Sequence, residues 1–129
     1  MTDAELGKLS ILALAHVGDA VYELLVRTLL AERGVATALQ LHRETVARVK
    51  ATAQAKAAAV ILPHLTEAEH DVYRRGRNSH VNTVPHGSTP GQYHAATAVE
   101  AVFGWLWLRG EHERARELFG YITEDYDAA

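Results

Sequence analysis

Apolar side chains recur at intervals of three and four along most of the chain, the spacing that gathers them on one face of an α-helix. Leu9, Leu12, Ala13, Val17, Ala20, Val21, Leu24, Leu25 and Leu29 follow it, and no run alternates as a half-buried strand would. The spacing predicts a first long helix that starts between Lys8 and Ser10 and stops at Gly34, where a left-handed C-terminal residue is wanted. A second helix is expected from about Ala36 to Lys50 and an alanine-rich third from Thr52 to Leu62, ended by Pro63 because a residue before proline is pushed out of helical geometry. Thr66 and Glu69 form a capping-box pattern that opens a fourth, lasting to about Arg75. Gln92 to Leu108, with Val99, Val102, Phe103, Leu106 and Trp107 in register, and Glu111 to about Asp125 complete the series. The fold class is all-α, a bundle of about five or six helices.

Between the fourth and fifth helices, residues 76–91 hold three glycines, two prolines and mostly polar side chains, which predicts a flexible loop with a basic entry at Arg74 to Asn78. Loops of that length within a small domain usually serve a function. The 129 residues suit one domain, 1–129, large enough to bury roughly two thirds of its unfolded surface. A composition 48% hydrophobic and 22% charged excludes a disordered chain. The absence of cysteine removes disulfides, thiolate metal sites and cysteine nucleophiles, and suits a reducing compartment. No apolar run is long enough to span a bilayer, and no basic segment leads into an apolar stretch near Met1, so a cytoplasmic, membrane-free protein is expected.

The net charge of -3 conceals a polarised distribution. Arg43, Arg48, Lys50 and Lys56 stand against Glu44, a net +3, and Arg74, Arg75 and Arg77 give a second stretch of +3. From Glu111 to Ala129, six acids outweigh Arg114 and Arg116 to leave -4. A polyanion would meet the basic stretches and avoid the tail.

Two carboxylates, Asp19 in Val17–Val21 and Glu100 in Ala98–Val102, fall where the apolar pattern predicts burial. Buried acids are rare unless paired or metal-bound. Each could satisfy an arginine or a helix end; alternatively, if the first and fifth helices pack side by side, the two meet around a divalent cation such as Mg²⁺. Gly18, Ala20, Ala98, Ala101 and Gly104 flank them and permit close backbone approach. Glu23, one turn after Asp19, is either an outer-shell partner or an intrahelical pair with Arg27.

Three blocks then combine: Leu14 to Glu23, Arg74 to Asn78, and Tyr93 to Ala101, with Leu41, His42, Gln54 and Ala55 between. In order and spacing they resemble the Mini-ribonuclease III family, over most of the chain. The resemblance implies a ribonuclease III catalytic domain without a double-stranded-RNA-binding domain. It also implies a homodimer that cleaves double-stranded RNA with Mg²⁺ and matures the large-subunit ribosomal RNA precursor. By position it assigns Asp19 and Glu100 as catalytic metal ligands. Full-length ribonucleases III carry further acids where this chain has Leu12, Ala15 and Thr97, so a shell with more water and fewer carboxylates is expected.

Hydrolysis by an activated water needs no side-chain nucleophile. Arg74, Arg75, Arg77 and Asn78 suit phosphate contacts, and Lys50, Gln54 and Lys56, on roughly one helical face, suit more; for any one of them plain solvation is the alternative. Of eight histidines no two are three or four apart, which excludes the usual two-histidine helical metal face, while His16 and His94 beside the acidic blocks could orient ligands or simply pack. Phe103, Trp105 and Trp107 are expected in the core or a dimer interface. Two other functions stay open: a catalytically silent RNA-binding module of the same fold, and an HD-type nucleotide phosphohydrolase centred on His70 and Asp71.

Overall fold

The computed structural model describes residues 1–79 and 86–129. Among them seven α-helices form and no strand: α1 (Asp3–Leu6), α2 (Ile11–Glu32), α3 (Ala38–Val49), α4 (Ala51–Ile61), α5 (Glu67–Arg77), α6 (Pro90–Leu108) and α7 (His112–Ala128), with a 3₁₀ turn at Leu62–His64. The all-α expectation holds, and the element missed is α1, whose four residues are too few to show a period. Its ends are nonetheless written in the chain, since Thr2 and Glu5 make a reciprocal capping box.

Helix α6 is the axis of the bundle, packed against by α2, α4, α5 and α7, while α3 leans on α2. Ala98, Val99, Ala101, Val102, Phe103 and Leu106 of α6 are fully enclosed, which is why this segment reads apolar almost all round. Ser10, Thr37, Thr66 and Thr89 cap the N-termini of α2, α3, α5 and α6 through their hydroxyls. Gly34 closes the end of α2 at φ 77°, a left-handed conformation that glycine adopts without strain.

Two of the boundaries that differ from the sequence expectation shorten the loop. Helix α5 continues through Gly76 and Arg77, because Gly76 is the contact with α6: a Cβ there would lie 2.8 Å from the Ala98 Cα. Helix α6 starts two residues early, at Pro90, under a Thr89–Gln92 capping box. Of the loop expected at 76–91, residues 76–77 and 90–91 are therefore helical, and 80–85 lie outside the described residues.

A buried ion pair fastens α7 to the bundle. Glu69 is 3% exposed; its carboxylate accepts from Arg114 Nε at 2.9 Å and Nη2 at 2.8 Å, and from the Thr66 backbone N–H at 2.9 Å. Burial alone would raise the Glu69 pKa, but these bonds and the Arg114 charge outweigh it and hold the carboxyl below its ordinary value.

Candidate active site

The crossing of α2 and α6 builds the site. At that point both helices carry glycine: a Cβ on Gly18 would stand 1.6 Å from the Glu100 carbonyl oxygen, and one on Gly104 would stand 2.0 Å from that of Leu14. The backbones therefore touch, as the flanking small residues implied. Asp19, next after Gly18, and Glu100, one turn before Gly104, then come from two helices to one place.

The two carboxyl groups come within hydrogen-bonding reach of each other. Burial first, and then the Asp19 charge, push Glu100 up to about 8, while a hydrogen bond from the Gln54 side chain pulls the other way. No described arginine or lysine forms an ion pair with either acid, so the arginine-paired alternative is set aside. Two neighbouring carboxyls without a cationic partner are a donor set suited to a divalent cation, which would compete with the proton on Glu100. Among the described residues no group of three His, Cys, Asp or Glu side chains gathers, so any ion held here keeps much of its water.

Burial of the pair differs from expectation. Glu100 is half-buried and Asp19 is exposed, because the glycines occupy the helix contact and turn the next residue outward to the rim. Beside Glu100 opens a cavity of about 640 Å³, walled by Lys50, Thr52 and Gln54 of α4, by His86 to Ser88, and by Tyr93 and Ala96 of α6. Tyr93, His86 and Ser88 were not singled out from sequence; Tyr93 lies two turns before Glu100 on one face of α6, a spacing that could have found it.

Other expected residues separate. Glu23 pairs with Arg27 at 3.0 Å, the second of its two expected roles, and lines a hollow between α2 and α3. Gln54, expected at an RNA-contacting face, is 3% exposed on the inward side of α4, where it lines the cavity beside Glu100. Lys50 is exposed at the cavity, and Lys56 is exposed on the side of α4 that faces α7. Arg74, Arg75, Arg77 and Asn78 are all exposed at the last turn of α5, with Arg74 ion-paired to Asp71. The Arg77 guanidinium lies against Gly91 at the start of α6.

Thr97 is buried, its hydroxyl donating to the Tyr93 carbonyl at 3.0 Å. His16 is exposed, and His94 has a buried Nδ1 without a partner. Phe103 is a core residue, edge-on to Tyr22 at 5.3 Å, and is not available to an interface. Trp105 lies under Arg109 at 4.5 Å and Trp107 stacks on His112 at 3.8 Å, both partly buried. His70 and Asp71 lie on an exposed turn of α5 and gather no further ligands among the described residues, so nothing supports the phosphohydrolase alternative. No described helix is long and apolar enough to cross a membrane.

Comparison with known proteins agrees with this geometry. The model of the ribonuclease III domain family matches residues 12–111. The chain is 46% identical over 107 residues to the Mini-ribonuclease 3 of Symbiobacterium thermophilum, covering 83% of this chain and 82% of that one. It is 49% identical over 110 residues to the Mini-ribonuclease 3 of Gloeobacter violaceus, covering 84% and 78%. A crystal structure of a protein from Fusobacterium nucleatum superposes with a TM-score of 0.86 at 27% identity, covering 95% of this chain and 98% of that one.

Proposed function

The chain belongs to the Mini-ribonuclease III branch of the ribonuclease III family and is an endoribonuclease; on that premise we propose that it hydrolyses double-stranded RNA with Mg²⁺ held by Asp19 and Glu100. The observation that carries this reading is the pair itself. Two carboxyls from α2 and α6 come within hydrogen-bonding reach, form no ion pair with a described arginine or lysine, and one of them, Glu100, borders a cavity that Lys50 also lines.

The division of labour follows from the positions. Exposed Asp19 can reach an ion that is also in contact with substrate, while half-buried Glu100 is held by its surroundings and must lose its proton for both carboxylates to act as ligands. When bound, the ion supplies charge neutralisation at the phosphodiester and a more acidic water. Lys50 is the N-cap of α4 and makes no side-chain cap, so the free amides of that helix end and the ammonium together favour a phosphate at the cavity. Arg74, Arg75, Arg77 and Asn78 extend the basic surface along the end of α5, and Lys56 extends it along α4. Backbone contacts of this kind read the shape of a duplex and not its bases.

A homodimer is part of the proposal. Leu12 and Leu24 on α2, and Leu39 and Val46 on α3, are 45%, 52%, 58% and 44% exposed, apolar surface of which Leu12, two turns before Asp19, shares the face of α2 that carries that acid. A twofold partner there would cover it and set two sites on one duplex. Sedimentation showing a monomer at working concentration would remove this part. Maturation of the large-subunit ribosomal RNA precursor, in the cytoplasm, is the cellular role the resemblance supports, and a cysteine-free chain suits that compartment.

The test is cleavage of a long RNA duplex in Mg²⁺, beside EDTA and beside Asp19→Asn, with the fold of the variant verified. Metal-dependent cutting that the variant lacks is expected. Tight duplex binding without cutting would instead leave a silent RNA-binding module.

A further inference from the structure

Helix α4 places an amide where its pattern calls for an apolar side chain. Gln54, Ala57, Ala58 and Ile61 are spaced at three and four and form its buried face, and the last three belong to the core. A buried amide without a partner costs roughly 1–3 kcal/mol, so a glutamine at a core position requires one. The other buried polar side chains are engaged or elsewhere: Glu69 with Arg114, Thr97 with the Tyr93 carbonyl, and Thr45 on the hollow between α2 and α3. Gln54 shares the wall of the active-site cavity with Glu100, where its amide comes within hydrogen-bonding reach of the carboxyl and favours the ionised form.

We propose that Gln54 is a positioning residue: its amide, rooted in the core through α4, fixes the Glu100 carboxyl of α6 in the orientation that meets Asp19. The inference rests on the reading above in one respect, that the acid pair binds a divalent cation. The amide carries no charge and cannot lose its hydrogen-bonding shape when Glu100 gains or loses a proton, so it can hold that side chain in both states. With only two carboxylates and with Leu12, Ala15 and Thr97 supplying no further oxygen to the site, orientation of those two is what the protein has left to control. Groups that orient ligands typically change metal affinity 10- to 100-fold when removed.

Gln54→Met keeps the length and volume of the side chain and removes its hydrogen bonding, with Gln54→Leu as a second apolar variant and Gln54→Glu restoring an oxygen at the same reach. Three readouts separate the roles: Mn²⁺ binding to the protein alone, followed by the resonance of the free ion; cleavage of duplex RNA against Mg²⁺ concentration; and duplex affinity in EDTA. Expected for Met and Leu are Mn²⁺ affinity lowered at least about 10-fold, a matching rise in the Mg²⁺ midpoint with the plateau rate largely kept, and unchanged duplex affinity in EDTA. Gln54→Glu is expected to recover Mn²⁺ affinity. Unchanged Mn²⁺ binding in the apolar variants while Asp19→Asn abolishes it would overturn the role of Gln54 and leave the metal site standing. Loss of duplex affinity in EDTA would make Gln54 an RNA contact instead. Absence of Mn²⁺ binding in the unmodified protein would remove the metal site and this inference together.

Discussion

The Gly18 Cα faces the Glu100 carbonyl so closely that a methyl group there would stand 1.6 Å from the oxygen. The contact that joins α2 to α6 is thus made by backbone, and the placing of Asp19 beside Glu100 is set by where two glycines meet. Such a joint has no side chain that could rearrange to absorb an insertion.

Gly18→Ala and Gly104→Ala should each destabilise the fold by roughly 3 kcal/mol or more, above the usual range for overpacking, because the obstacle is backbone. Gly120→Ala is the control: nothing lies within 4 Å of a Cβ there, in the middle of α7, and a gain of roughly 0.5–1 kcal/mol is expected. Urea denaturation of the three variants checks both signs, and a Gly18→Ala as stable as the parent would contradict the crossing.

Glu100 makes the metal-free fold less stable as the solution becomes more alkaline. Its folded pKa, pushed up to about 8 by burial and by Asp19, exceeds the ordinary 4.5, so between these values the unfolded chain has released a proton that the folded chain retains. Stability therefore falls as pH climbs through that window and levels off above it. Glu100→Gln removes the effect. In EDTA the variant should match the parent near pH 4.5 and exceed it by roughly 2 kcal/mol at pH 8.5, a discounted figure because the group is only half-buried. Equal thermal midpoints for the two proteins at both pH values would refute it.

The Glu69–Arg114 pair has the opposite sign. The Glu69 pKa is depressed in the fold, so its contribution is present above the unfolded value near 4.5 and is lost as pH falls through the folded one. Removing one partner strands the other, with Glu69 4% and Arg114 20% exposed in their side chains. Glu69→Gln should cost roughly 2–3 kcal/mol at pH 7, with the gap from the parent narrowing below pH 4. Denaturant midpoints at the two pH values measure the narrowing.

Arg74→Ala combined with Arg77→Ala should weaken duplex binding regardless of sequence and flatten its dependence on salt by up to about two units of slope. Lys50→Ala adds to this loss and lowers cleavage as well, because Lys50 borders the cavity at Glu100. Filter binding across a salt series is the assay. An undiminished slope in the double variant would take the last turn of α5 out of the RNA surface.

Six of the seven helices were legible because each exceeds ten residues and repeats its apolar face several times, and the boundary residues Ser10, Gly34 and Thr66 did what their chemistry demands. Gly76 misled: glycine suggests a helix end, but here it serves close packing on Ala98, a contact that spacing along one strand of sequence cannot reveal. The site was legible as a pair, since small residues beside both acids announced the crossing. Its depth was not. A period of 3.6 places Asp19 within an apolar stretch, yet one residue of rotation from Gly18 moves it to the rim. The burial of Gln54 was hidden for a related reason, because polar residues are assumed to face water, and only the neighbouring Glu100 on another helix shows why this one does not.

The aromatic stacks at the far end of α6 decide what light can report. Both tryptophans lie beyond Glu100, at about 7 and 10 Å of helix rise, one beneath the Arg109 guanidinium and the other flat against the His112 imidazole. Their emission therefore follows the melting of the α6–α7 corner. A ligand entering the cavity at Glu100 changes neither environment, so unfolding is bright and occupancy is dark to the chain's own fluorophores, and an extrinsic label near Lys50 is needed to see RNA arrive.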